Sequence, residues 1–302
     1  MGRVFIARDR SLGRKIAIKE LRTDVGGSYG AALPDARAAR FLREAQITAM
    51  LEHPAITPVH ELGVREDGTL YYTMKFVQGV TLSELIAGTD SVEERLRYVP
   101  NLIAVAHAVA YAHSRGVIHR DIKPENIVVG DYGESVLVDW GVAKVDSDDS
   151  LWMDVETHSS PDDDPDEGLT LPGSILGTPA YMPPEQALGR NRELDGRADV
   201  YALGAVLYTL LTGERPFTGG TATEVLQKVV RNAPVPIRKR APDAPKELVA
   251  ICEKAMSKDR DDRFENAQSF TEDLTRHQEG SPVRSYRYTL TERAARLILR
   301  HR

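Results

Sequence analysis

The 302-residue chain has one cysteine, two tryptophans and no long apolar run. The single thiol, Cys252, excludes an intrachain disulfide and fits a reducing compartment. It falls in the helical pattern ELVAICEKAM, where a buried structural thiol is expected. No apolar run approaches the roughly 18 residues that a bilayer span requires, and the N-terminus has no signal-peptide core. An excess of basic residues is also missing. The net charge of −6 gives no reason to expect nucleic acid as the main partner and reads as a solvated acidic surface. With 41% hydrophobic and 28% charged residues, the composition is that of a globular chain long enough for two lobes, each with its own core.

Up to about residue 80 the pattern is mostly strand. RVFIARD and KIAIKEL are short apolar runs joined by RSLGR, whose glycine suits a hairpin loop. ALPDARAARFLREAQITAMLEH reads as a helix, with Pro34 near its start and Pro54 past its end. A second strand pair is expected in VHELGVREDGTLYYTMKFV, turned at Asp67-Gly68. Beyond QGVTLSELI long helices take over. LIAVAHAVAYAHSRG has helical spacing, Gly116 suits the position after its end, and Pro100 is expected to kink or break its start. DVYALGAVLYTLLTG is apolar nearly all round, which implies a buried helix. Residues 145–168 stand apart as acidic, Ser- and Pro-rich and poor in apolar side chains, the composition of a mobile loop.

The strongest chemical signal is VIHRDIKPENIVV. It sets His119, Arg120, Asp121, Lys123 and Asn126 on a short polar loop between apolar runs. Downstream, VLVDWGVAK is an apolar strand ending in Asp139 and Gly141. Asp121, Asn126 and Asp139 supply hard oxygen ligands beside a base, the donor set that holds Mg²⁺ and activates a hydroxyl.

These residues resemble the protein kinases, and most closely the bacterial Hanks-type (eukaryotic-like) serine/threonine kinases. The resemblance runs from Met1 to about His277 through AIK, LREAQ, HRDIKPEN, DWG, GTPAYMPPE and DVYALG in order. It implies an α+β, bilobal fold. A small antiparallel-sheet lobe with one helix would occupy residues 1–78, and a larger helical lobe residues 79–278. The acidic insertion at about 145–170 would lie in the activation segment, and residues 279–302 would form a basic tail. Kinases begin with a strand and the loop G-x-G-x-x-G-x-V. Gly2 and Val4 match its last glycine and its valine, so the first strand and two glycines are expected to precede the chain as written.

The resemblance also assigns roles. Lys19 would grip the α- and β-phosphates of ATP and pair with Glu44, for which Glu52 is the nearest rival. Asp121 would take or orient the substrate hydroxyl, and Lys123 would neutralise the transferring phosphate. Asn126 and Asp139 would hold Mg²⁺. Adenine would sit between Val4 and Ala17 above and Val128 below, with Met74 behind and the backbone of Val77 offering hydrogen bonds. His119 and Asp199 would tie the catalytic loop to the buried helix, and Glu185 would pair with Arg263. Trp140 replaces the usual phenylalanine after the metal-binding aspartate, leaving an indole N–H in need of a partner.

Arg120 beside Asp121 suggests control by phosphorylation of the activation segment at Thr170 or Ser174, while Thr178 is expected to bond Asp121 and Lys123. The implied function is transfer of the ATP γ-phosphate to protein serine or threonine, with autophosphorylation. The rival is a pseudokinase scaffold that binds without transferring. Protein substrates are the implied partners, nucleic acid is not, and a dimer is compatible with the chain. Cytoplasmic placement follows, with a membrane involved only if a longer form continues past the basic tail into a span.

Overall fold

β1 (Arg3–Arg8) and β2 (Lys15–Glu20) form an antiparallel hairpin in which Val4 lies opposite Lys19 and Ile6 opposite Ala17. The computed structural model describes residues 2–21, 36–140, 144–145 and 178–292. The second hairpin, β3 (Val59–Val64) and β4 (Leu70–Lys75), turns at Asp67-Gly68 as the sequence predicts. It joins the first through β2 and β4, giving the sheet order β1-β2-β4-β3. That pairing sets Ala17 opposite Met74 and Lys19 opposite Tyr72. Because side chains alternate along a strand, these four residues share one face with Val4 and Ile6.

α1 (Ala36–Met50) covers the sheet. Its buried residues Ala38, Phe41, Ala45 and Thr48 recur at helical spacing. The first three close a small core with Leu21 and Tyr72. Glu52 lies beyond the end of the helix, which leaves Glu44 as the inward acid.

The segment after α1 is fastened to the other lobe. Leu137 donates its backbone N–H to Ala55 O at 2.8 Å, and Ile56 bridges Leu137 in parallel fashion. Glu52 N–H reaches the Tyr111 hydroxyl at 3.2 Å, and the His53 and Tyr111 rings lie 5.5 Å apart.

The larger lobe carries the helices α2 (Leu82–Ala87), α3 (Val92–Leu96), α5 (Pro184–Ala187), α7 (Ala222–Arg231) and α8 (Ile237–Arg240), and is built on α4 (Val99–Ser114), α6 (Arg197–Thr212), α9 (Lys246–Ala255) and α10 (Ala267–Gln278). Every residue of α6 from Ala198 to Thr212 is buried, as its all-round apolar pattern requires. Helices α4 and α9 both pack on α6, and α10 packs on α4. Pro100 neither kinks nor breaks a helix. It occupies the first turn of α4, where the missing N–H has no intrahelical partner to lose. At the far end Gly116 takes φ +72°, the left-handed geometry that ends a helix without a Cβ penalty. The Cys252 thiol is buried and donates to Gly204 O at 3.3 Å, so it serves the α6–α9 contact.

Two short ribbons flank the HRDIKPEN sequence. One is β5 (Gly79–Thr81), β7 (Ile127–Gly130) and β8 (Ser135–Leu137); the other is β6 (Val117–Ile118) and β9 (Lys144–Val145). Beyond α10 the chain stays on the lobe. Val283 is buried in the core, and the buried Asp273 accepts the backbone N–H groups of Arg284 and Ser285, both at 2.9 Å. Among the described residues no helix is long and apolar enough to cross a membrane.

Candidate active site

Strand register brings the first group together. Lys19 projects from the inward face of β2, and Glu44 from α1 above it. The Lys19 ammonium donates to Glu44 Oε1 and, at 2.9 Å, to Asp139 Oδ1. Burial works against the charged lysine, but the Glu44 and Asp139 carboxylates more than compensate and hold its pKa above the usual value. Burial likewise raises the Asp139 carboxyl, and Lys19 outweighs that effect to hold it below the ordinary carboxylate range. The side chain of Asp139 remains 49% exposed, so its carboxylate faces open space on one side. Its φ of +66° lies in the left-handed region that non-glycine residues seldom adopt, a strain typical of functional positions.

The second group gathers around Asp121. Lys123 Nζ donates to Asp121 Oδ2 at 2.6 Å. Asn126 Nδ2 donates to the Asp121 carbonyl at 2.9 Å and to Oδ2 at 3.3 Å. Among the described residues the other oxygen, Oδ1, receives only the Thr178 backbone N–H, at 3.3 Å. Thr178 therefore reaches Asp121, through its main chain rather than its hydroxyl, and among the described residues it makes no bond to Lys123. Because the Asn126 amide nitrogen is committed to Asp121, its carboxamide oxygen is left as a neutral hard donor. Together with the exposed side of the Asp139 carboxylate, this donor set fits a small divalent cation such as Mg²⁺.

Asp199 on α6 holds the loop at His119 and Arg120 in place. Fully buried, it accepts the backbone N–H groups of His119 and Arg120 and the His113 ring Nε2, each at 2.8 Å. Burial alone would raise its carboxyl, but the bond to the His113 ring, with help from the His119 backbone N–H, turns the shift downward. His119 is also fully buried, and desolvation pushes its pKa down against the pull of Asp199 and Asp121. Its Nδ1 accepts the Asp121 N–H at 3.2 Å, and its ring lies 4.6 Å from that of Trp140. Trp140 joins the main core with Ile47 and Leu51, near the end of the Glu44 helix. Its indole N–H, expected to need a partner, finds none among the described residues.

The apolar residues expected to enclose adenine lie on the small sheet and on β7. Val4, Ala17 and Met74 share the inward face of the small sheet, and Val128 lies on β7 in the other lobe. Val77 lies in the connection after β4, and its backbone N–H and C=O bond to no other described residue. Gly2 crosses so close to β2 that a Cβ there would meet Glu20 O at 2.7 Å and Lys19 Cγ at 3.1 Å. Glu185 and Arg263 pair through both carboxylate oxygens, at 2.7 and 2.8 Å. Gly141, Thr170, Ser174 and nearly all of the acidic insertion lie outside the described residues.

Three contributors have no motif of their own. Tyr72 donates its hydroxyl to Glu44 Oε1 at 2.7 Å, His113 braces Asp199, and Gln186 donates its amide to Arg120 O at 2.9 Å. Strand alternation marks Tyr72 as inward-facing, which is the only sequence signal any of them carries.

A protein kinase domain model matches residues 1–277. The chain is 38% identical over 293 residues to the serine/threonine-protein kinase PknD of Protochlamydia amoebophila, covering 93% of this chain and 29% of that protein. It is 37% identical over 283 residues to the serine/threonine-protein kinase PknB of Mycolicibacterium smegmatis, covering 93% and 41%. With the serine/threonine-protein kinase PknD of Chlamydia trachomatis it shares 34% over 313 residues, covering 96% and 32%. The chain thus spans less than half the length of each of these relatives.

Proposed function

The chain belongs to the protein kinase family, and from that premise we propose that it transfers the γ-phosphoryl group of ATP to serine or threonine hydroxyls of proteins. The observation that carries the reading is the linked pair of clusters, Glu44–Lys19–Asp139 and Lys123–Asp121–Asn126, each made of the residues that phosphoryl transfer uses. The names of the relatives and the lysine two residues after Asp121 favour a serine/threonine acceptor.

Lys19, kept charged by two carboxylates, binds the α- and β-phosphates. Ala17, Val4, Met74 and Val128 enclose the base, and Val77 offers it backbone hydrogen bonds. Asn126 and Asp139 would hold Mg²⁺, which when bound neutralises charge on the phosphates. Asp121 orients the acceptor hydroxyl for in-line attack and receives its proton as the new P–O bond forms and the bond to ADP breaks. Oδ1 is the oxygen for that task, because Oδ2 already accepts Lys123 and Asn126. Lys123 stands where it can also meet the transferring phosphate. A carboxylate is a weak base, so placement accounts for most of its effect.

The test is Mg²⁺-dependent transfer of labelled γ-phosphate to the chain itself and to a generic protein substrate, beside Asp121→Asn. Transfer that the variant loses by at least about 100-fold supports the reading. Transfer that survives unchanged overturns the role of Asp121. A chain that binds ATP but transfers nothing would be a nucleotide-binding scaffold.

A further inference from the structure

We infer that Tyr72 is a positioning residue of the active site, holding the Glu44 carboxylate in the orientation that grips Lys19. The inference rests on the kinase reading above and adds a residue to it. Glu44 Oε1 accepts two donors at once, the Lys19 ammonium and the Tyr72 hydroxyl, the latter at 2.7 Å. A carboxylate on a flexible side chain can present either oxygen and rotate between partners. A second donor fixed to the same oxygen removes that freedom.

The tyrosine is itself rigidly held. β-sheet pairing sets it directly opposite Lys19, so its ring stands beside the lysine stem, with the ammonium 6.0 Å from the ring centroid. Phe41, one helical turn before Glu44, packs on the ring at 5.2 Å. The side chain is 3% exposed. The sheet thus reaches Glu44 by two routes, through an ion pair and through a phenol whose position the core dictates.

The phenol also has the right chemistry. Burial pushes its pKa far up, and the Glu44 charge adds to the shift, so it is a neutral donor around neutral pH. A neutral donor stabilises the Glu44 carboxylate without competing with Lys19 for phosphate. Phenylalanine at this position would keep the packing against Phe41 and lose only the hydrogen bond.

The experiment compares wild type, Tyr72→Phe, Glu44→Gln and the double variant in three readouts. These are ATP affinity by calorimetry in the presence of Mg²⁺, steady-state kcat and KM for ATP, and the thermal midpoint. Tyr72→Phe is expected to weaken ATP binding and raise its KM by about tenfold, the effect of one hydrogen bond to a charged group, with little change in thermal midpoint. In the Glu44→Gln background the same substitution should have no further effect on affinity, because Tyr72 acts through Glu44.

Affinity and KM within twofold of wild type, or an equal loss in the Glu44→Gln background, would overturn the inference. So would a loss of affinity that merely follows a lowered thermal midpoint. Wild type that binds ATP without transferring phosphate refutes the kinase reading alone, and the calorimetric cycle then decides Tyr72. Wild type that fails to bind ATP refutes both.

Discussion

Arg263 holds Glu185 with two of its five N–H donors and spends the other three on main-chain carbonyls. The carboxylate bonds are 2.7 and 2.8 Å, and Nε, Nη1 and Nη2 also reach Ser257 O, Arg197 O and Lys258 O at 2.8, 3.1 and 3.2 Å. The guanidinium therefore ties Glu185 to the start of α6 and the turn after α9. Arg263→Ala would leave Glu185 and three carbonyls without their donor. A loss of about 3 kcal/mol is expected, as for other buried pairs broken on one side, read as a lower urea midpoint. Arg263→Lys should recover less than half of it, because an ammonium cannot make the two-pronged contact.

Lys123 and Asp121 separate binding from chemistry. Lys123→Ala should lower kcat by roughly 100-fold, in the range seen when charge stabilisation at a transferring group is removed. The KM for ATP should change less than threefold, since Lys19 rather than Lys123 is the residue proposed to hold the nucleotide. Steady-state kinetics decide this, and a raised KM at unchanged kcat would place Lys123 among the nucleotide contacts instead.

His119 should make the fold sensitive to mild acid. Its pKa is held below the ordinary value of about 6.5, first by burial. The unfolded chain therefore binds a proton in a range where the folded one does not, so stability rises with pH there. The contribution is complete above about pH 6.5 and is lost as pH falls toward the folded-state value. Thermal midpoints measured from pH 8 to pH 5 should fall on the acid side, and His119→Gln should flatten that slope. An unchanged slope in the variant would assign the acid sensitivity to another group, such as His53 or His60, both of which burial also pushes down.

Trp140 should tolerate phenylalanine better than its burial suggests. The indole is 2% exposed, yet its N–H has no hydrogen-bond partner among the described residues. Trp140→Phe removes a desolvated donor while opening a small void, two effects of opposite sign and about 1–3 kcal/mol each. A net change under about 1 kcal/mol is expected, measured by equilibrium unfolding. A loss above 3 kcal/mol would mean that the ring volume governs the site.

Much of the site was readable from residue order. Lys19, Glu44, Asp121, Asn126 and Asp139 each stand in a short motif whose spacing sets them on a strand, a helix or a loop, and the fold gathers Lys19, Glu44 and Asp139 in one cluster and Asp121 and Asn126 in another. The buried helix α6 and the left-handed Gly116 follow from apolar pattern and backbone rules. What escaped were bonds created by tertiary placement. The Tyr72–Glu44 contact depends on which residue of β4 lies opposite Lys19, a register fixed by the whole sheet. Thr178 carries a hydroxyl that invites a side-chain assignment, while its backbone makes the contact. The stretch after α10 reads as a basic tail, yet the buried Asp273 and Val283 fasten it to the lobe, and neither interaction leaves a periodic trace.

The fastening of residues 51–56 onto the larger lobe sets how α1 can move. With Ala55 bonded to Leu137 and Glu52 to Tyr111, the C-terminal end of α1 has a fulcrum that does not belong to its own lobe. Glu44 stands roughly 10 Å up the helix from that pivot, at 1.5 Å per residue. A tilt of about 15° would carry it some 2.5 Å, enough to break a hydrogen bond. The helix is a short lever. Whatever pushes on its N-terminal end, near residue 36, needs only a small rotation to disengage Lys19, and a group held at Lys19 resists that rotation on an arm about half as long.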